Sequence, residues 1–322
     1  MAELRRAVRQ WLKISAAVKQ NPTYLVGLSG GGDSLALAWA LSVEAPKLGV
    51  QVGAIIVNHQ LQVESATVTA RAIEQAEELG LAPIRVAELK IEGSHDLESR
   101  ARDARYAAFN DAIRQTEAAG IVLAHTLDDQ AETFLIGLSR GSGPSSLKGM
   151  SRRDKNFHRP LLDLKKSTLR QALMDAGKDW WEDPANSDQR FTRVRVRENV
   201  LPILERELGP GIHEALARTA ELFRTDSESL DSTASEWVDR FSSKNPNGSL
   251  TVPVDDLIKL DRALRSRALR FLVVSVSGRS PSYAQTQLML GLLDQWKGQS
   301  PLDLSGAIVE RKGNLILVSR RL

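Results

Sequence analysis

The first segment whose residues can do chemistry is a glycine-rich loop, Ser29, Gly30, Gly31, Gly32, Asp33 and Ser34, between an apolar run and helical sequence. Consecutive glycines let backbone N–H groups converge on an anion, and the next helix N-terminus adds unpaired donors. The spacing is close to that of a Walker A loop, but Asp33 stands where that loop has its lysine. An acid there repels phosphates unless it holds a magnesium ion or an amide. The loop therefore predicts a polyphosphate site. The simpler alternative is a turn in which Asp33 and Ser34 only cap a helix.

A second candidate is the acidic segment that contains Asp128, Asp129 and Glu132. If a helix starts at Asp128, Asp129 and Glu132 lie three residues apart on one face of its first turn. Carboxylates placed in this way can hold magnesium on a phosphate or orient an ammonium group. The spacing fits equally well with a solvated acidic helix start, which the helix dipole favours.

Arginines form two further candidate groups. Arg102 and Arg105 lie one turn apart in a helical segment and can contact a phosphate, or else pair with neighbouring acids. A later segment alternates arginine with apolar residues: as a strand it lines one face with arginines, whereas as a helix it puts Arg193 and Arg197 on one side. Either arrangement suits an RNA loop, which is read through phosphates, stacking and base edges. A plain solvated basic helix is the alternative.

Alternating strands and helices must position these groups. Short apolar runs at 24–28, 52–57, 84–87 and 121–124 are separated by segments of helical period at 34–48, 64–80 and 96–118. This order predicts an α/β domain with a parallel sheet, whose ligands bind at the carboxyl ends of the strands. A long helix over 211–240, a turn segment, short helices and strands near 306–310 and 314–319 predict a smaller α+β domain after it.

Net charge and the absence of cysteine exclude several classes of function. The chain has 322 residues and a net charge of only +3, but residues 140–200 contain 14 Lys or Arg against 8 Asp or Glu, so any nucleic-acid surface is local. The sequence contains no cysteine, which excludes thiolate metal sites, iron–sulfur ligation and cysteine nucleophiles. No apolar run is long enough to span a bilayer. We expect a cytoplasmic protein without a membrane partner.

Several ordered motifs resemble a known family. The Ser29–Ser34 loop resembles the S-G-G-x-D-S loop of N-type ATP pyrophosphatases (the PP-loop superfamily), which cleave ATP to AMP and pyrophosphate. The segments that resemble tRNA(Ile)-lysidine synthetases run from about residue 20 to 205 and are AHTLDDQAET (124–133), NHQL (58–61), ESRARDARY (98–106), RPLL (159–162), WEDPAN (181–186) and RVRVRENVLP (193–202). The sequence departs from that family at three positions: Asn58 for an aspartate, Thr126 for a second histidine and Val194 for a common asparagine.

The resemblance implies that ATP adenylates the carbon-2 oxygen of the wobble cytidine in a CAU-anticodon isoleucine tRNA, and that free lysine then displaces AMP. It further implies a catalytic set, Asp33, Asp129, Glu132 and Arg105, with Mg²⁺ on Asp33 and Asp129. The ATP site would combine the Ser29–Ser34 loop with Asn58 and His59. The tRNA and lysine site would comprise Arg102, His125, Asp183, Asn186, Arg193 and Arg197. Residues 1–212 would form the adenylating domain, and residues 213–322 a tRNA-binding domain with a helical linker.

Two other functions are also compatible with these residues. Another N-type pyrophosphatase, for tRNA thiolation or nucleotide amidation, would share the loop, although tRNA thiolation normally employs cysteines. A non-catalytic, ATP-responsive RNA-binding protein is the alternative from another class, but it has no use for Asp33, Asp129 and Glu132 together. No pattern in the sequence specifies the oligomeric state, and a homodimer is one state that it allows.

Overall fold

The computed structural model describes residues 1–18, 21–58, 65–89, 97–141, 143–304 and 306–321, so His59 lies outside the described residues. The helices are α1 (Ala2–Val18), α2 (Gly32–Glu44), α3 (Ser65–Glu78), α4 (Leu97–Thr116), α5 (Leu127–Ser139), α6 (Pro144–Leu147), α7 (Lys166–Asp175), α8 (Thr192–Arg195), α9 (Leu201–Leu208), α10 (Ile212–Phe241), α11 (Val254–Ile258), α12 (Arg262–Ser277) and α13 (Tyr283–Asp294). The strands are β1 (Thr23–Gly27), β2 (Gln51–Asn58), β3 (Ile84–Glu88), β4 (Gly120–Val122), β5 (Arg153–Asp154), β6 (Phe157–His158), β7 (Ser243–Lys244), β8 (Leu250–Pro253), β9 (Leu302–Leu304), β10 (Ala307–Lys312) and β11 (Leu315–Arg320).

The first sheet has the predicted parallel topology. Its strand order is β3-β2-β1-β4-β6-β5, with every pair parallel except the β5–β6 hairpin at one edge. β1, β2, β3 and β4 match the four predicted apolar runs to within two residues at either end. The predicted α/β class is therefore confirmed, and the residues that follow β1 and β4 emerge at the same edge of the sheet.

Helices cover both faces of this sheet. On one face, α1, α2, α3 and α7 bury a core that includes Val26 and Ile56. On the other face, α4 packs Phe109 against Leu25, Ile55 and Ile121. Because the central strands are buried on both faces, their sequences are continuous apolar runs and not alternations of apolar and polar residues.

The second unit has its own sheet and core. Its five strands are antiparallel in the order β7-β8-β11-β10-β9. α12 and α13 pack on that sheet and bury Leu269, Leu272, Met289 and Leu290. The predicted strands near 306–310 and 314–319 correspond to β10 and β11, and this unit has the predicted α+β character.

The chain is divided into two compact units. One contains Met1–Ser139 and Gly149–Thr219, and the other contains Arg140–Lys148 and Ala220–Leu322. α10 thus begins in the first unit and ends in the second. The predicted division at residue 212 stays a prediction. Within the described residues, no helix is both long and apolar enough to cross a bilayer.

Candidate active site

The glycine-rich loop joins β1 to α2 and is held by the two serines at its ends. The Ser34 hydroxyl donates to the Gly31 carbonyl oxygen at 2.9 Å and accepts from the Ser29 backbone N–H at 3.1 Å. The two serine hydroxyls are also 3.1 Å apart. These hydrogen bonds link the two ends of the loop and fix the backbone of the glycines between them. The first-turn N–H groups of α2 have no acceptor within the helix, so they stay available to an anion.

The geometry of the loop favours glycine at two positions. Gly30 has φ of +80°, a conformation that side chains with a Cβ rarely adopt. A Cβ on Gly32 would lie 3.0 Å from the Trp180 ring, and Gly31 pairs with Trp181 in a short parallel bridge. Trp180 and the first residue of the WEDPAN segment, Trp181, therefore lie directly against the phosphate loop.

Asp33 is a half-buried carboxylate at the start of α2 that makes no hydrogen bond or ion pair to another described residue. Burial raises the pKa of Asp33 to about 6; Lys166 opposes this shift and Asp129 adds to it. These contributions agree with the sheet topology, in which the loop after β1 and α5 after β4 leave neighbouring parallel strands at the same edge.

Asp129 is fixed by the residue three positions before it. Its Oδ2 accepts hydrogen bonds from the Thr126 backbone N–H at 2.8 Å and the Thr126 hydroxyl at 2.9 Å. Its Oδ1 lies 3.2 Å from the Lys166 Nζ. Burial by itself would raise the pKa of Asp129, but Lys166, His125 and the Thr126 N–H outweigh burial and hold the pKa far below its ordinary value. Thr126, where the family has a second histidine, thus orients the carboxylate.

Glu132 is fully buried and is bound by two arginines from the α8 region. The Arg197 guanidinium donates to both carboxylate oxygens, at 2.6 and 3.1 Å. The Arg193 Nε lies 3.2 Å from Oε2, and its Nη2 donates to the Thr133 hydroxyl. Residues 192–208 are helical, so the helix interpretation of this segment is the one observed. As that interpretation predicts, Arg193 and Arg197 share a side, and both meet Glu132.

Lys166 completes this cluster and was not singled out from the sequence. Its Nζ lies 3.2 Å from Asp129 and 3.7 Å from Glu132. Its backbone N–H donates to the Asp128 Oδ2 at 2.7 Å, and Asp128 also pairs with His213. Asp128 therefore anchors the first turn of α7. A lysine four residues after the RPLL motif has no distinctive spacing, and the basic excess of residues 140–200 was its only signal.

His125 lies beside the acidic cluster as a neutral imidazole. Burial lowers its pKa to about 4 although Asp129 opposes the shift, so the ring carries no charge near pH 7. Its Nδ1 is buried without a hydrogen-bond partner among the described residues. A neutral ring with an unused nitrogen suits contact with a base or an amine better than contact with a phosphate.

Of the remaining predicted residues, Arg102 lies within electrostatic reach of His125 and Arg105 within that of Arg193. Arg102 stacks on Tyr106 with its guanidinium carbon 5.1 Å from the ring centre, and Arg105 is exposed. Asn58 ends β2, and its carbonyl oxygen accepts from Leu89. The Asn186 N–H donates to the Asp183 carbonyl oxygen at 2.9 Å, and the Asn186 side chain is exposed. The roles predicted for these residues in binding ATP or tRNA stay predictions.

The donor set suits a magnesium ion that arrives with its nucleotide. Among the described residues, no group of three or more His, Cys, Asp or Glu side chains has metal-binding spacing. Asp33 offers unpartnered carboxylate oxygens, and only Oδ1 of Asp129 is free of the Thr126 hydrogen bonds. Magnesium commonly takes one or two carboxylates and fills its other positions with phosphate oxygens and water. The residues present fit this pattern.

Comparison with known proteins identifies both units. A PP-loop domain model matches residues 3–204, and a TilS substrate binding domain model matches residues 253–316. A U34-tRNA thiolase, NcsA from Methanococcus maripaludis, superposes with a TM-score of 0.58 at 20% identity, covering 70% of this chain and 79% of its own, and so shows the same fold.

Two curated relatives cover nearly the whole chain. The tRNA(Ile)-lysidine synthase of Leifsonia xyli subsp. xyli is 49% identical over 91% of this chain and 88% of the relative. The enzyme of the same name from Thermobifida fusca is 40% identical over 95% of this chain and 93% of the relative. The resemblance inferred from the ordered motifs is confirmed: the chain belongs to the tRNA(Ile)-lysidine synthase family, whose members are ATP-using ligases.

Proposed function

We propose that this protein joins free lysine to the wobble cytidine of a CAU-anticodon isoleucine tRNA and forms lysidine. The observation that carries the proposal is the convergence of the phosphate loop with Asp129, since β1 and β4 are neighbouring parallel strands and the loop after β1 and α5 after β4 leave the sheet at the same edge. One site thus offers N–H donors for a polyphosphate beside buried carboxylates for a cation. Since its substrate would be a tRNA, we place the enzyme in the cytoplasm.

The first step is adenylation of the base. The carbon-2 oxygen of the cytidine attacks the α-phosphorus of ATP, the bond to the β-phosphate oxygen breaks, and pyrophosphate leaves. The N–H groups of the Ser29–Ser34 loop and of the first turn of α2 would bind the phosphates. Asp33 and Asp129 would hold magnesium, which neutralises charge on the leaving group when it is bound.

The second step is attack by the ε-amino group of lysine on carbon 2, with loss of AMP. The attacking amine must be neutral, so it has to give up a proton. Buried Glu132, beside Asp129, would orient the ammonium form and receive that proton before the nitrogen attacks carbon 2. Neutral His125 would lie beside the base. Arg105 would contact a phosphate of AMP or of the tRNA.

The discriminating experiment supplies purified protein with ATP, magnesium, labelled lysine and an isoleucine tRNA transcript that carries CAU. We expect label in the tRNA together with AMP and pyrophosphate, and none with a methionine tRNA of the same anticodon. Asp129→Asn should abolish transfer and retain tRNA binding. Absence of lysine incorporation would overturn the proposal.

Two alternatives predict different outcomes. Another PP-loop enzyme would release pyrophosphate without incorporating lysine; a thiolase that uses an iron–sulfur cluster is disfavoured because the chain has no cysteine. An RNA-binding module would retain the tRNA and release no pyrophosphate.

A further inference from the structure

Lys166 places a primary ammonium group between two carboxylates of the proposed site. Its Nζ lies 3.2 Å from Oδ1 of Asp129 and 3.7 Å from Oε1 of Glu132, and its side chain is only 19% exposed. Its backbone is anchored independently, through the hydrogen bond to Asp128. The side chain beyond Cα can therefore move without disturbing the start of α7.

The two carboxylates beside Lys166 are already paired. Asp129 and Glu132 are bound by three cations, which are Lys166, Arg193 and Arg197. Arg170, which also acts on Asp33, is paired with Glu182. The two arginines bind Glu132, whereas Lys166 is the cation paired with Asp129. A further cation that enters the cluster therefore meets carboxylates that are already neutralised, unless one of the three cations leaves.

The phosphate loop lacks the cation that its Walker A counterpart has. Asp33 stands in the place of that lysine, and of the cations that oppose the effect of burial on the pKa of Asp33, Lys166 contributes most. A bound polyphosphate, with its several negative charges, would attract a mobile ammonium group from its place beside Asp129. Neither arginine is as free to move, because both are tied to Glu132.

We propose that Lys166 occupies the position of the ε-ammonium group of substrate lysine until bound nucleotide draws it to the phosphates. This inference rests on the proposed function, because it identifies the competing group as the substrate's own side chain. The substrate carries the same head group on the same four-carbon stem, so both fit the same pair of carboxylates. Lysine then binds weakly to the free enzyme and tightly after ATP, which orders the two substrates.

The test measures equilibrium binding of labelled lysine with and without α,β-methylene-ATP, in the absence of magnesium so that a metal on Asp129 does not compete with the ammonium group. In the wild-type protein we expect the nucleotide to tighten lysine binding by about tenfold, the equivalent of one partly buried ion pair. In Lys166→Met, lysine should bind equally tightly with or without nucleotide, because the competing group is gone and Asp129 is unpaired.

Lys165→Met is the matched control. Lys165 is the preceding residue, is 45% exposed and pairs with Glu214 away from the carboxylate pair. This variant should retain the wild-type dependence on nucleotide. Lys166→Arg, which keeps the charge, should retain weak binding in the absence of nucleotide and shows that the effect is not a general loss of structure.

The outcomes separate this proposal from the proposed function. If Lys166→Met binds lysine no more tightly than wild type without nucleotide, or still responds to nucleotide, Lys166 does not compete with lysine and this proposal alone is overturned. If wild type binds no lysine even with nucleotide and tRNA present, both the proposed function and this proposal fail.

Discussion

At the scale of single residues, Asp33 is a carboxylate whose ionised form costs the protein stability. Burial raises its pKa to about 6, above the value near 3.9 of an unfolded chain, so the folded state binds the proton more tightly. The cost of the ionised group is thus fully present above pH 6 and disappears as the pH falls below about 4. Removing the charge should therefore stabilise the fold at neutral pH.

We predict that Asp33→Asn raises the free energy of unfolding by about 1 kcal/mol at pH 7.5 in the presence of a chelator, a modest value because Asp33 is only half-buried. Urea denaturation at several pH values measures the difference, which should approach zero near pH 4. The same variant should lose ATP-dependent pyrophosphate release. A variant less stable than wild type at pH 7.5 would contradict the argument.

The residues of the site differ in how far the sequence could predict them. The loop serines, Asp129 and Glu132 were predicted because their spacing along one element is itself the signal. Lys166 was missed because its partners lie more than thirty residues away and only the tertiary fold brings them together. The pairing of Glu132 with Arg193 and Arg197 is also long-range, and no local pattern specifies it.

At the scale of elements, a buried carboxylate on α2 accepts hydrogen bonds from two arginines of α1. Glu44 at the end of α2 is 1% exposed and accepts hydrogen bonds from Arg5 and Arg9 of α1, and from Lys47. The hydrogen bond from Arg9, with those from Arg5 and Lys47, lowers the pKa of Glu44 to about 2 against the effect of burial. This carboxylate stabilises the fold above its unfolded pKa, and the stabilisation is lost as the pH falls toward 2.

Glu44→Gln should lower the free energy of unfolding by about 2 kcal/mol at pH 7, since charged hydrogen bonds to two arginines are lost. Chemical denaturation followed by circular dichroism measures this. The difference from wild type should shrink between about pH 4 and pH 2. An equal difference at pH 7 and pH 2 would show that Glu44 acts through packing alone.

The elements themselves were largely predicted by periodicity. The central strands are buried on both faces, so their apolar runs stand out, and the helix predicted over 211–240 is observed as Ile212–Phe241. The β5–β6 hairpin was missed, because two-residue strands have no period. Residues 193–197 alternate arginine and valine, a pattern that favours a strand, yet burial of Val194 and Val196 and pairing of the arginines to Glu132 are satisfied by a helix.

At the scale of the whole molecule, the basic excess of residues 140–200 is largely neutralised within the protein. Arg193 and Arg197 pair with Glu132, Lys166 with Asp129, Lys178 with Glu78 and Lys165 with Glu214, and all four of these acids lie outside the segment. The sequence count therefore overstates the charge that is available to tRNA. Exposed cations without a carboxylate partner are the better candidates for phosphate contacts.

Arg105 is such a cation: it is exposed and makes no ion pair or hydrogen bond to another described residue. Each phosphate contact adds about 0.7 to 0.9 to the slope of log affinity against log salt concentration. We predict that Arg105→Gln weakens tRNA binding and lowers this slope by about one.

Arg193→Gln should leave the slope nearly unchanged and impair lysine transfer, because its guanidinium neutralises Glu132 rather than a phosphate. Filter binding of tRNA from 50 to 300 mM salt, about the range over which such contacts weaken, measures both slopes. If the two variants lower the slope equally, Arg193 leaves Glu132 for the RNA, and the internal pairing that we describe does not persist in the complex.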